Sequence, residues 1–279
     1  MFKKISTIIM LSLFFIGLSV LLYPSLSSYW NSKTQSQVVA SYENMLQNMS
    51  RDEAKAIFAA AEAYNESLRQ LEQPLRDYRQ VEGYSQTLNL NGMGMMGYVT
   101  IDTIGVELPI YHTISESVLA FAAGHMEGTS LPVGGPGNHS VLSAHRGLPN
   151  AKLFTDLNKV QVGDNFQVTI LDTVIVYRVD QILTVSPENV SDIQIQEGED
   201  YCTLITCTPY GINTHRLLVR GKRLDTIVEK QVYVGNEAYR IDTLIVTPLV
   251  ALPILLMLIT IVMFQPVKRE QVLEGDDLQ

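Results

Sequence analysis

Residues 201–211 read YCTLITCTPYG, a run of β-forming residues that a proline and a glycine bring to an end. Side chains on a strand alternate between two faces, so Cys202 and Cys207 point in opposite directions. A disulfide needs cysteines that face each other, and the chain holds only these two. We therefore interpret Cys202 as a small buried apolar residue. Cys207 is predicted to be a free thiol where a strand enters a loop.

This stretch is one of seven short β-type runs between residues 98 and 221. The runs are YVTID, VELPIYH, HSVLSAH, NFQVTIL, VIVYRVDQIL, YCTLITC and HRLLVRG. Turn residues separate them, and NAKLFTDLNKV is the one short helical segment among them. Many short strands without intervening amphipathic helices predict a mainly β domain, either a closed barrel or a sandwich.

The region before these strands has the spacing of helices. Ser50 and Glu53 form a capping box, which marks a helix start. Pro74 is expected to end or kink that helix. The glycine-rich segment NGMGMMG, residues 91–97, predicts a hinge. The apolar stripe comprises Ala54, Ile57, Ala61, Tyr64, Leu68 and Leu71. Its one-sided pattern fits either a helical stalk or a regulatory arm packed on the β domain.

Two apolar segments without charge, residues 5–23 and 243–264, approach the roughly 20 residues that span a bilayer. The first is longer than the apolar core of most signal peptides, so we expect an uncleaved anchor, with a cleaved signal peptide as the alternative. Lysines at 3 and 4 precede the first segment, and Lys268 and Arg269 follow the second. The positive-inside rule then places both tails in the cytoplasm and the region between them outside the cell.

The predicted organisation has six parts. They are residues 1–30, an N-terminal transmembrane anchor or signal; 31–96, an extracellular helical arm and hinge; 97–225, the β domain; 226–242, a juxtamembrane segment; 243–264, a C-terminal transmembrane helix; and 265–279, a cytoplasmic tail. The net charge is −9, and no basic run crosses the exported part, which argues against nucleic acid as a partner. Two cysteines without a CxxC motif give no support to a metal site, and no cofactor motif is visible.

A thiol nucleophile needs a base and a group that stabilises the developing oxyanion. His145 ends the run SVLSAH just before a Gly/Pro loop, a setting that presents a side chain. Arg216 follows Cys207 by nine residues, and an intervening turn would return the chain antiparallel and bring the two together. Taken alone, a buried structural cysteine and a surface ion pair are the alternatives for these two residues. His112 and His125 are expected to serve loop hydrogen bonding. His139 sits at the other end of the strand that carries His145, and His215 faces the side opposite to Arg216.

The combination resembles the sortases, the cysteine transpeptidases of Gram-positive surfaces. TLITCTPYGINTHRLLVRG is similar to their cysteine–arginine signature, and GHMEGTSLPVGGPGNHSVLSAHRGLPNAKLFTDL to their histidine segment. The match runs over residues 97–223. It implies an eight-stranded β-barrel in which Cys207 is the nucleophile and His145 the general acid/base. It also implies that Arg216 holds the oxyanion or substrate and that Thr206 helps to shape the substrate groove.

The helical arm, the C-terminal span and GHMEGTSLPVGG resemble the class C, pilus-building sortases. This implies cleavage of an LPxTG-like sorting signal between Thr and Gly, a thioester on the cysteine, and transfer to a pilin lysine. Class C arms carry a lid with an Asp-Pro-aromatic motif. Here Gln73, Pro74 and Leu75 stand in that place, and a glutamine lacks the charge to pair with Arg216. Ala144 also departs from the pattern, since a glycine often precedes the histidine.

Three other readings compete with a pilin-polymerising enzyme in the cell membrane. A sortase that attaches surface proteins to cell-wall peptidoglycan would share every motif and differ in the amine it accepts. A plain cysteine protease would give hydrolysis with or without an amine. A non-catalytic membrane scaffold would lack at least one of Cys207, His145 and Arg216, and all three are present.

Overall fold

The computed structural model of the chain describes residues 2–90 and 92–224. Its α-helices are α1 (Phe2–Gln47), α2 (Arg51–Arg69), α3 (Pro74–Asp77) and α4 (Glu116–Leu119). Single 3-10 turns lie at Tyr78–Gln80, Asp102–Ile104, Leu157–Lys159 and Ser191–Ile193. The strands are β1 (Met95–Ile101), β2 (Val106–His112), β3 (Ala123–His125), β4 (Asn138–Ser143), β5 (Asn165–Ile170), β6 (Thr173–Val185), β7 (Asp200–Thr208) and β8 (His215–Arg223).

The strands form a closed barrel in the order β1-β2-β3-β4-β7-β8-β6-β5. The pairs β2–β3 and β4–β7 are parallel, and the remaining neighbours are antiparallel. The expectation of an eight-stranded barrel is confirmed. The seven predicted runs all contain strands. The eighth, β3, is three residues long and ends at His125, which the sequence pattern had placed in a loop.

The barrel wall begins inside the segment that was predicted to be a hinge. Residues 95–97 belong to β1, and Met95 and Met96 are fully buried. A Cβ at Gly97 would lie 2.1 Å from the carbonyl oxygen of Thr169 on the neighbouring strand β5. The hinge prediction is therefore wrong for these three residues, because the glycine serves close backbone approach between strands.

The helical arm starts as predicted and ends earlier. The Ser50 side chain accepts a hydrogen bond of 3.2 Å from the backbone N–H of Glu53. The helix then stops at Arg69, so Pro74 neither ends nor kinks it. Pro74 instead opens α3, where its missing N–H would have had no partner in the helix.

The arm packs on the barrel rather than standing apart as a stalk. Ala61, Tyr64 and Leu68, from the predicted stripe, are buried in the same cluster as the barrel interior. Asn65 is fully buried and exchanges two hydrogen bonds with the backbone of Leu131, at 2.7 and 3.1 Å. The paired polar contact fixes the direction of α2 on the barrel.

The first predicted span lies within α1, which continues without a break through Pro24. Within the described residues, α1 is the one helix that is long and apolar enough to cross a membrane. The second predicted span, residues 243–264, lies outside the described residues, as do the juxtamembrane segment and the tail.

Candidate functional site

Cys207 and Arg216 lie directly opposite each other on neighbouring strands. They are Cα partners in the antiparallel pair of β7 and β8, which the turn at residues 209–214 connects. Cys207 is a free, partly exposed thiol. Cys202 is also free but fully buried on the other face of β7, and burial raises the pKa of its thiol. The strand alternation read from the sequence is therefore confirmed.

His145 reaches the same end of the barrel from β4. Strand β4 runs parallel to β7, with Ser143 opposite Ile205. The chain then continues beside β7, since the Ala144 N–H donates to the Ile205 carbonyl oxygen at 3.1 Å. We call this end of the barrel the Cys207 rim. It comprises the His145 segment (residues 144–147), Cys207 and the first residue pair of β8, residues 215–216.

Thr206 ties the two strands together beneath the rim. Its side chain is buried, and Oγ1 donates a 2.8 Å hydrogen bond to the carbonyl oxygen of Ala144. The bond links the residue before Cys207 to the residue before His145. The hydroxyl thus faces the backbone between the strands, and its direct effect is on the position of the His145 segment.

A second link lies on the other side of Cys207. Arg146 donates from Nη1 to the Thr208 hydroxyl at 3.4 Å, and its guanidinium lies 5.7 Å from the centre of the Tyr210 ring. That ring also packs closely on Gly147, where a Cβ would come within 2.9 Å of it. The sequence pattern gave Arg146 and Tyr210 no role. In the sequence, Arg146 directly follows His145, and Tyr210 lies in the turn just after Cys207. This proximity was the signal that could have indicated a role for both residues.

The charged side chains of the rim have partners of their own. Nε2 of His145 lies 3.1 Å from Oε1 of Glu116, a residue that the sequence pattern also left without a role. Glu116 is largely exposed, so this contact is weak and easily exchanged. Nη1 of Arg216 donates to the carbonyl oxygens of Asn213 (3.3 Å) and His215 (3.2 Å).

A buried apolar cluster lies on the face of β7 that also carries the thiol, and we call this surface the groove. Val141, Ile193, Ile205 and Leu218 form its buried cluster. Ile205 and Cys207 share one face of the strand and lie about 6.6 Å apart along it. An extended peptide with apolar side chains fits such a surface, because β-strand spacing matches alternate residues of the peptide.

The segment predicted to be a lid lies over this groove. Leu75 packs against the groove cluster, and its backbone approaches Gly128 so closely that a Cβ there would lie 2.8 Å from the Leu75 Cα. A cavity of about 520 Å³ adjoins the segment, with Pro74, Gly128 and Gln194 among its lining residues. Gln73 makes no side-chain hydrogen bond to the helix start that it precedes. The segment thus contacts the groove through Leu75.

Two buried histidines hold loops rather than joining the rim. His139 donates from Nδ1 to the Gln194 carbonyl oxygen (2.9 Å) and accepts at Nε2 from the Thr203 hydroxyl (2.7 Å). His125 lies 2.9 Å from the Tyr84 hydroxyl at Nδ1. Burial lowers the pKa of each to about 4, so both are neutral near pH 7. His112 and His215 likewise bond to neighbouring groups outside the Cys207–His145 pair.

Comparison with known proteins identifies the fold. The Sortase domain family model matches residues 99–224. Sortase C1 from Streptococcus agalactiae has 44% sequence identity and a TM-score of 0.62, and the match covers 68% of this chain and 99% of that one. Sortase C from Streptococcus pneumoniae has 42% identity and a TM-score of 0.60, covering 68% and 97%. Sortase C from Clostridium perfringens has 37% identity and a TM-score of 0.58, covering 68% and 99%.

Two curated relatives carry the name sortase A. The Streptococcus agalactiae serotype III protein is 30% identical over 141 residues, which is 50% of this chain and 56% of that protein. The Bacillus anthracis protein is 25% identical over 228 residues, covering 82% and 99%. The solved structures are matched over almost their whole length at higher identity, and they are class C sortases. The chain belongs to the sortase family of cysteine transpeptidases.

Proposed function

We propose that the protein is a membrane-anchored transpeptidase that cleaves an LPxTG-like sorting signal between Thr and Gly and transfers the acyl group to a pilin lysine. The pairing of Cys207 with Arg216, at the rim where β4 delivers His145, is the observation that carries this proposal. A nucleophile, an imidazole and a guanidinium then lie at one end of the barrel.

The chemistry uses these three side chains in turn. The Cys207 thiolate attacks the Thr carbonyl carbon, and Arg216 donates hydrogen bonds to the oxyanion. The Thr–Gly C–N bond breaks as the His145 imidazolium gives its proton to the departing Gly amine, which leaves a thioester. The lysine amine then attacks the thioester carbonyl and loses a proton to His145. The C–S bond breaks, an isopeptide bond forms, and the thiolate is regenerated.

The groove supports a sorting signal as the acyl donor. Its cluster of Val141, Ile193, Ile205 and Leu218 offers an apolar surface for the Leu and Pro of such a peptide. The groove ends at Cys207 on the same strand face, so a bound peptide runs into the thiol. Thr206, the residue that the family pattern assigns to groove shaping, supports the groove from beneath through its bond to Ala144.

We assign residues 73–75 as a lid that excludes substrate from this groove. Leu75 already contacts the groove cluster, so a peptide and the lid compete for one surface. Gln73 has no charge for Arg216, and Leu75 packs on the apolar cluster that lies on the same face of β7 as the thiol. The lid therefore acts by covering the groove that leads to Cys207.

The lid is tested by Leu75→Ala with Leu71→Ala as the matched control. Leu71 lies on the same arm but packs on the main barrel cluster. Removing the whole arm is a poorer test, because α2 contributes buried residues to the barrel core. Leu75→Ala should speed labelling of Cys207 by a bulky thiol reagent and raise peptide turnover, while Leu71→Ala should change neither. Equal labelling rates in all three proteins would remove the lid role.

A competition experiment distinguishes the two candidate acceptors, a pilin lysine and a cell-wall peptide amine. The solved relatives are class C sortases, and the S. pneumoniae structure was described in relation to pilin substrate specificity. The curated relatives are named sortase A, which keeps the cell-wall reading as a second candidate. A lysine-bearing pilin domain and a cell-wall peptide amine, offered together with a sorting peptide, should give mainly the pilin adduct. A predominant cell-wall adduct would favour the second candidate.

We further propose a two-pass membrane topology with the barrel outside the cell. The uncharged run of residues 5–23 lies within α1, the described helix that is long and apolar enough to cross a membrane, and the cations near positions 3–4 and 268–269 favour cytoplasmic tails. Protease treatment of intact cells should remove the barrel while leaving tags at both termini protected. Cleavage of either terminal tag would contradict this topology.

A further inference from the structure

Helix α1 has a fixed direction along the barrel wall. Asn31 donates from Nδ2 to the Asn150 carbonyl oxygen at 2.6 Å. Further along the helix, the Tyr42 hydroxyl donates to the Met96 carbonyl oxygen and accepts from the Leu171 N–H, both at 2.9 Å. These contacts lie eleven residues apart in sequence, or about 16 Å along the helix axis.

Strand directions show which end of the barrel each contact marks. Strands β1, β4 and β7 run in one direction, and β5 runs in the other. The ends of β4 and β7 form the Cys207 rim, so Met96 near the start of β1 and Leu171 after β5 lie at the opposite end. The segment that holds Asn150 lies beside the rim, because the Phe154 N–H donates to the His145 carbonyl oxygen at 3.1 Å. Helix α1 therefore meets the rim first and the opposite end afterwards.

Aromatic residues mark where this helix leaves the bilayer. Tyr23 is the last residue of the apolar segment, Tyr29 and Trp30 follow it, and all three are more than half exposed. Tyrosine and tryptophan prefer the headgroup region, and Trp30 directly precedes Asn31. Asn31 stands eight residues, or about 12 Å, beyond Tyr23, whereas the headgroup layer is itself roughly 5–7 Å thick. The first contact of the barrel thus lies within about one helical turn of the headgroups.

The rim also presents apolar side chains of its own. Tyr210 and Ile212, in the turn between β7 and β8, are 60% and 67% exposed. Side chains of this kind are suited to the membrane interface. They stand beside Cys207, on the side of the barrel where the membrane end of α1 arrives.

We propose that the Cys207 rim lies on the lipid headgroup layer and that the active site opens toward the membrane. The inference rests on the proposed anchoring by α1. In this orientation, a substrate that is tethered in the bilayer would be guided to the thiol along the headgroup layer. Soluble peptides would reach the thiol from the side, without this guidance.

Depth-dependent quenching in vesicles tests the orientation with the full chain. A thiol-reactive fluorophore on Cys207 gives the rim probe, because Cys202 is fully buried. The control probe is placed at Asp172→Cys in a Cys207→Ala background, since Asp172 is exposed in the β5–β6 turn at the opposite end. Lipids with a nitroxide on the headgroup should quench the rim probe strongly and the control probe weakly. Equal quenching, or stronger quenching of the control, would overturn the proposal.

A helical insertion provides a second test of the orientation. Seven helix-forming residues between Trp30 and Asn31 would raise the barrel by about 10 Å and turn it by only about 20°. The rim probe should lose most of its quenching, and cleavage of a membrane-tethered sorting peptide should fall, while cleavage of the same soluble peptide stays unchanged. Unchanged quenching after the insertion would also overturn the proposal.

Two readouts separate this inference from the proposed function. Trp30 is the only tryptophan, so its fluorescence with bromine-labelled lipids reports the anchor depth directly. A quenched Trp30 with an unquenched rim probe would leave the anchor intact and reject the orientation. Absence of any cleavage of the soluble sorting peptide by the wild-type chain would reject the proposed function, while the quenching would still decide the orientation.

Discussion

Replacing Thr206 by valine removes one hydroxyl that joins the two strands of the site. Valine keeps the shape of threonine, so the main loss is the 2.8 Å hydrogen bond to the Ala144 carbonyl oxygen in a buried position. An unsatisfied buried carbonyl costs about 1–3 kcal/mol, and each kcal/mol lowers the melting temperature of a domain of this size by roughly 2–4 °C. The His145 segment should also lose its fixed position beside Cys207. A displacement near 1 Å can reduce kcat by on the order of 10²-fold.

Thermal unfolding and steady-state cleavage of a sorting peptide measure both effects. Thr206→Val should lower kcat far more than it changes KM, since the hydroxyl points between the strands and away from the peptide. Thr206→Ser keeps the hydroxyl and should recover most of kcat. Thr203→Val is the matched control, because it removes another buried hydroxyl of β7, the partner of His139, at a distance from the rim. A Thr206→Val enzyme with wild-type kcat and a lowered melting temperature would refute the positioning role.

Arg216→Ala should reduce the rate of acyl transfer by about 10²–10³-fold if its guanidinium serves the oxyanion, and an unchanged rate would exclude it from the reaction. Cys202→Ala should cost about 1 kcal/mol of stability and leave Cys207 acylation intact, whereas lost acylation in the folded variant would contradict the assignment of the two thiols. The pKa values of His125 and His139 lie near 4, below the ordinary 6.5, so the unfolded chain takes up protons first as pH falls. The free energy of unfolding should be at its full value above pH 6.5 and should fall by a few kcal/mol toward pH 4, and a flat denaturation profile across that window would contradict the burial of these rings as neutral groups.

The barrel and the thiol–cation pair could be predicted because local sequence determines them. Alternation along β7 fixes the faces of Cys202 and Cys207, and nine residues suffice for a strand reversal that sets Arg216 opposite the thiol. Strand β3 was not predicted, because three residues are too few to show an alternating pattern. Its position depends on pairing with β2 and β4. The start of β1 was missed for a related reason, since glycines that favour turns also allow close strand approach.

The remaining features of the site depend on contacts between distant parts of the chain. Glu116 meets His145 across 29 residues of sequence, and no local pattern marks that pair. The bond between Thr206 and Ala144 joins positions 62 residues apart. The contact of Leu75 with the groove likewise depends on how α2 docks, which Asn65 determines through a side-chain pair with a loop backbone. Periodicity shows that a helix has a buried face, but it does not specify the surface that receives it.

The most direct test of the central claim is the intact mass of the protein after mixing with an LPxTG-type peptide. We expect an acyl adduct on Cys207 with the mass of the peptide up to its threonine, and loss of that adduct to a lysine-bearing pilin domain when one is added. Cys207→Ala should form no adduct under the same conditions. A folded wild-type protein whose Cys207 reacts with iodoacetamide but forms no adduct with any sorting peptide would contradict the proposed transpeptidase function.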